Sequence, residues 1–251
     1  MKIKYFDITN RGITIKCKLY RTDAHTFSNV VISCHGFGGD KDNLATQKLA
    51  ETLLPVHPDT AVLAFDWPGH GNDTRQKPDL EDCNQYLDEI LLYARNTLGA
   101  KAFFNFSTSF GGYVTLRYIY QKGNPFEKVL LRCPAVMMYQ VLTESIMEQG
   151  QLEQLRKKDI LVGFERKVRV SGKFLEQLRQ NDITVWDYSR LTENLLILHG
   201  TKDELVSCSQ VQEFAEKNGI DFLSIQDADH RFREPAKIRE VIDYTIEHYF
   251  G

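Results

Sequence analysis

Three stretches, NVVISC at 29–34, TAVLAFD at 60–66 and KAFFNF at 101–106, are near-continuous apolar runs separated by segments of helical spacing. A short apolar run bounded by turn residues belongs to a strand covered on both faces. KVLLRC (128–133), NLLILHG (194–200) and FLSIQ (222–226) continue the rhythm. Strands alternating with helices imply crossover units, and hence a mostly parallel sheet with helices on both faces: an α/β fold. Helices are expected at 42–54, with Leu44, Leu49, Leu53 and Leu54 on one side and Pro55 as a stop. Others should run from about Leu80, capped by Asp79, to Leu98, through GYVTLRYIY to Gly123, and over about 207–217. The last helix has Pro235 in its first turn and an apolar stripe of Ile238, Val241, Ile242, Ile246 and Tyr249. At the front, KIKYFDIT and ITIKCKLYR alternate around Asn10-Arg11-Gly12, which predicts an antiparallel hairpin at one sheet edge.

The rhythm stops between Ala135 and about Asn194. That region offers charged, helix-like segments such as ESIMEQGQLEQLRKK and GKFLEQLRQ and no buried-strand signal. So long a connection between core strands is uncommon unless it is functional, so a helical lid insertion is expected at about 136–193. Nothing else divides the chain, and its 251 residues are expected to form one domain, 1–251. A hydrophobic content of 42% supports one substantial core. The net charge of -3 provides no basic field for nucleic acid. No stretch approaches the roughly 20 apolar residues that span a bilayer, and MKIKYFDITN lacks the apolar run of a secretory signal. Cys17, Cys34, Cys83, Cys133 and Cys208 are scattered and odd in number, which suggests neither a metal site nor a disulfide frame and favours a cytoplasmic protein.

Chemistry is expected in FFNFSTSFGG (103–112), where strand gives way to helix. A serine on such a turn projects its hydroxyl above the sheet and faces the N–H groups of the helix N-terminus. The turn demands small residues two positions to either side. Ser109 meets that with Ser107 and Gly111, whereas Ser107 would have to turn while its strand was still ending. Ser109 is therefore the candidate nucleophile. A serine needs a base, and the base needs an acid to orient it. Of seven histidines, His230 in DADHRF follows the strand FLSIQ and lies at the carboxyl edge of the sheet, where function collects. His199 ends a strand and is expected to face inward as a structural histidine. Asp203 in HGTKDELV is the candidate acid, with Glu204 its nearest rival; Asp227 and Asp229 share the short loop of His230. The loop CHGFGGDKDN (34–43) can present backbone donors, so the N–H groups of Phe37 and Phe110 form the candidate oxyanion hole.

Taken together, HGFGG, FDWPGHG (65–71), STSFGG, HGTKDELV and DADH, in that order, resemble the α/β-hydrolase fold superfamily over essentially the whole chain. The one departure is Ser107, where glycine is usual. The resemblance implies a bracing role for Asp66 and His70, and acyl transfer to water by Ser109, His230 and Asp203 without metal or organic cofactor. The insertion length resembles that of small bacterial carboxylesterases, including the cinnamoyl and feruloyl esterase type. The expected partner is a small or medium ester, with Met137, Met138, Tyr139, Phe164, Phe174 and Trp186 as candidate pocket lining. An aminopeptidase or amidase, or a thioesterase, on the same triad is the enzymatic alternative; a non-catalytic binding protein of the same fold is the alternative from another class.

Overall fold

The structure, a computed structural model, describes residues 1–73 and 75–251. Eight strands form one sheet: β1 (Lys2–Asn10), β2 (Ile13–Arg21), β3 (Asn29–Cys34), β4 (Thr60–Phe65), β5 (Ala102–Thr108), β6 (Lys128–Arg132), β9 (Leu195–Gly200) and β10 (Asp221–Ile225). Their spatial order is β1-β2-β4-β3-β5-β6-β9-β10. The β1–β2 hairpin and the β2–β4 pairing are antiparallel, and every later neighbour pair is parallel. This is the α/β hydrolase fold.

Period-two alternation along the strands builds two cores. Val30, Ile32, Ala61, Leu63, Leu195 and Ile197 face one helical layer, and Val31, Val62, Leu196 and Leu198 face the other. The first layer holds α2 (Leu80–Asn96), α3 (Phe110–Lys122) and α7 (Cys208–Asn218); the second holds α1 (Leu44–Val56) and α8 (Pro235–Phe250). Asp79 caps α2 by accepting from the N–H groups of Glu81 and Asp82. Pro55 lies inside the last turn of α1 instead of beyond it, and Leu44, at the first helical position, is exposed rather than part of the apolar side.

The insertion between β6 and β9 differs from the expected all-helical segment. It carries α4 (Met138–Gln140) running into a π-helical turn (Val141–Ile146), α5 (Gln151–Leu155) and α6 (Gly172–Gln180). Between α5 and α6 stands a small antiparallel hairpin, β7 (Ile160–Val162) and β8 (Val168–Val170). Strands of three residues are too short to display a period of two against the surrounding charge. Among the described residues, no helix is long and apolar enough to cross a membrane.

Candidate functional site

Ser109 links β5 to α3 with φ 52° and ψ −115°, a conformation that a non-glycine residue rarely adopts. Strain of this kind costs on the order of 1–3 kcal/mol and persists only where the surroundings impose it. The surroundings here are clear. Ser109 N–H donates to Arg132 O at 3.0 Å, and Ser109 O accepts from Tyr113 N and Ala135 N, both at 3.1 Å. A Cβ on Gly111 would lie 2.5 Å from Cys34 O and 2.7 Å from His35 O, so only glycine lets α3 press against the end of β3. Ser107 needs no such emptiness. Its hydroxyl donates to Asn105 Oδ1 at 2.6 Å, which leaves Thr115 to donate to it across 2.8 Å. The extra hydroxymethyl group thus ties β5 to α3.

The glycine loop runs beside the serine: a Cβ on Gly36 would sit 3.2 Å from Ser109 Cβ. Among the described residues, no acceptor takes the N–H of Phe37 or of Phe110. The loop is braced from behind by Asp66, which accepts from Lys41 N and Nζ and from Asn72 N at 2.8–2.9 Å. His35 donates from Nδ1 to Gly36 O and accepts at Nε2 from Trp67 N, which fixes it as neutral imidazole. Burial lowers its pKa to about 4. Burial, with His35 alongside, lowers that of His70 to about 3. The His70 ring packs on both Phe37 (5.3 Å) and Phe110 (5.7 Å).

Asp203 and His230 meet directly, with His230 Nδ1 2.7 Å from Asp203 Oδ2. Asp203 Oδ1 accepts from Leu205 N and Val206 N at 2.9 and 2.8 Å. Burial acts against the charge of this carboxyl, but hydrogen bonds from His199 and His230 override it and hold its pKa well below the usual carboxylate range. The rival acids lie elsewhere. Glu204 accepts the backbone N–H of His230 at 3.2 Å, Asp227 pairs with Lys202, and Asp229 pairs with Arg233. Ser109 Oγ makes no hydrogen bond to His230 among the described residues; the two loops are joined instead through Arg132. Its guanidinium donates to Thr108 Oγ1 at 3.3 Å and to Arg231 O at 3.2 Å, spanning the residue before Ser109 and the residue after His230. As the last residue of β6 and the fifth of KVLLRC, Arg132 carries no sequence signal beyond an unusual charge at a buried strand end.

The chain matches the profile described as alpha/beta hydrolase fold over residues 29–159. It belongs to the alpha/beta hydrolase fold family. Among solved structures it is similar to Est1E from Butyrivibrio proteoclasticus, seen with ferulic acid bound: TM-score 0.78, 16% identity, 97% of each chain covered. It is also similar to an esterase of Pyrococcus furiosus (TM-score 0.74, 17% identity, 98% of this chain and 91% of that one). A monoacylglycerol lipase of Paleococcus ferrophilus gives TM-score 0.65 and 19% identity, over 93% of this chain and 99% of that one. No curated protein matches.

Within this α/β hydrolase the residues expected to line a pocket are dispersed. Met137 lines both a cleft of about 840 Å³ against the Asp203 loop and a smaller one of about 200 Å³ that also includes Met138 and Tyr139. The larger cleft touches Asp203 but neither Ser109 nor His230. Phe174 is fully buried and packs edge-on against Phe110 at 6.1 Å. Phe164 is exposed beneath the Arg231 guanidinium. Trp186 stacks on Tyr120 at 4.5 Å. That is eleven residues along the chain from Ser109 and so roughly 16 Å up α3.

Proposed function

We propose that the protein is a serine hydrolase cleaving small or medium carboxylic esters through an acyl-enzyme. The observation that carries this reading is the strained backbone of Ser109 at the strand-to-helix turn. A chain holds a serine at φ 52° only where several contacts impose it, and the result is a hydroxyl lifted from the sheet at a helix N-terminus. In the proposed reaction Ser109 Oγ attacks the ester carbonyl carbon while His230 Nε2 takes its proton. Asp203 holds Nδ1–H and stabilises the imidazolium. The free N–H groups of Phe37 and Phe110 receive the oxyanion. His230 then protonates the departing alkoxide, and a water activated by the same nitrogen releases the acid and restores Ser109. The insertion at 136–193 acts as the lid, with Phe174 closing one side of the pocket against Phe110 and the Gly163–Lys167 turn reaching the glycine loop. The backbone O of Arg166 would lie 3.1 Å from a Cβ on Gly38, and its guanidinium pairs with Asp40.

Turnover of p-nitrophenyl esters of rising acyl length by wild type, Ser109→Ala and His230→Ala tests this. The proposal expects hydrolysis by wild type and loss of at least 1,000-fold in both variants, in line with the effect of removing a triad member. Ester turnover undiminished in Ser109→Ala would overturn it.

A further inference from the structure

His199, the fifth residue of β9, is completely buried. Its Nε2 lies 3.0 Å from Val206 O and 3.1 Å from Asp203 Oδ2. A carbonyl oxygen only accepts, so Nε2 carries the proton and donates it to Val206 O, with Asp203 Oδ2 close beside it. Nδ1 is buried with no partner among the described residues. Stranding that nitrogen is costly, which a residue of purely packing value would avoid. Asp203 shows what is gained. A carboxylate offers about four acceptor positions. Oδ1 fills two with Leu205 N and Val206 N, and Oδ2 takes His230 Nδ1 at 2.7 Å with His199 Nε2 at 3.1 Å on its other side.

We propose that His199 is a positioning residue for the Asp203–His230 pair, fixing Oδ2 by its Nε2–H and taking a share of the carboxylate charge that would otherwise fall on His230 alone. This rests on the triad reading of the site. Cys133 brings its thiol into the same group, with ligand atoms of Cys133, His199 and Asp203 all within 4.8 Å of one another. The protonated Nε2 and the filled carboxylate make this a hydrogen-bonded cluster rather than a set of open metal ligands. Facing the pair from the other elements are the buried thiol of Cys133, Cys208 at the start of α7, Glu204 on the His230 N–H, Arg132 on Arg231 O, and Arg233 with Asp229.

The test needs no substrate. Titrating the His230 ring by nitrogen-15 NMR in wild type, His199→Leu and His199→Gln reads the charge that Asp203 delivers. In His199→Leu the Oδ2 charge faces His230 without His199 beside it, and the His230 midpoint should rise by about one pH unit, roughly a tenfold change in proton affinity. In His199→Gln the side-chain amide carries an N–H at a comparable reach, and the midpoint should stay with wild type. An unchanged midpoint in His199→Leu, or an equal change in both variants, would overturn the proposal. Should His199→Leu fail to fold, Asp203→Asn supplies the second readout: the His199 Nε2–H resonance should move strongly upfield once the charge is gone, and a resonance that stays put would equally overturn it. An absence of ester turnover would bear on the proposed activity and leave these measurements standing.

Discussion

Lys41 and Asp66 grip one another twice, through Lys41 N–H on Oδ1 at 2.8 Å and Lys41 Nζ on Oδ2 at 2.9 Å, with both side chains almost wholly removed from water. The contact ties the glycine loop after β3 to the loop after β4. Removing Asp66 leaves the buried Lys41 ammonium with only the more distant Asp42 carboxylate, 3.6 Å away, and strips the acceptor from Lys41 N and Asn72 N. Asp66→Ala is expected to lose about 3–5 kcal/mol in urea unfolding, and ester turnover should fall with it because the Phe37 N–H loses its support.

Gly111→Ala should damage function more than its one added carbon suggests. The new Cβ would meet the carbonyl oxygens of Cys34 and His35, and relief requires α3 to withdraw from β3. Overpacking of this kind costs about 1–3 kcal/mol. A displacement of Ser109 by about an ångström can lower kcat/KM about a hundredfold. Kinetics together with the thermal midpoint separates the two effects.

Ser107→Ala is the opposite case. It breaks the hydroxyl bridge between Asn105 and Thr115 and leaves buried polar atoms unpaired, for a loss of about 1–3 kcal/mol. The Ser109 turn does not depend on that bridge, so kcat/KM should stay within a few fold of wild type.

Acid should weaken the fold through His35 and His70. Burial is the main cause in both, lowering their pKa values from 6.5 to about 4 and about 3. The unfolded chain therefore binds protons that the folded chain refuses, and stability rises with pH through this window. It is fully present above about pH 6.5 and is lost progressively as pH falls toward 4 and 3. Between pH 6.5 and 5 each histidine contributes a loss of about 2 kcal/mol. Urea midpoints measured at both pH values check this, and His35→Gln should flatten the dependence.

The candidate site was legible where each residue follows a buried strand. The apolar runs at 101–106, 194–200 and 222–226 gave the carboxyl edge of the sheet its loops, and Ser109, Asp203 and His230 lie on them. His199 lies near the end of a buried strand, a place that points it inward as a structural histidine, and it is buried. Its contact with Asp203 depends on the turn Gly200–Lys202 folding the chain back across four residues, which periodicity does not describe. The insertion was the least legible part. Its apolar residues pack among themselves and on α3, as Trp186 does on Tyr120, so hydrophobicity alone could not separate pocket wall from local core. The β7–β8 hairpin was hidden by the brevity of its strands.

The most direct test of the account is the site of covalent capture by a fluorophosphonate, read by intact mass and peptide mapping of wild type and Ser109→Ala. Wild type should carry a single phosphonyl adduct on Ser109 and the variant none. An adduct that persists in Ser109→Ala, or no adduct on the folded wild-type protein, would contradict it.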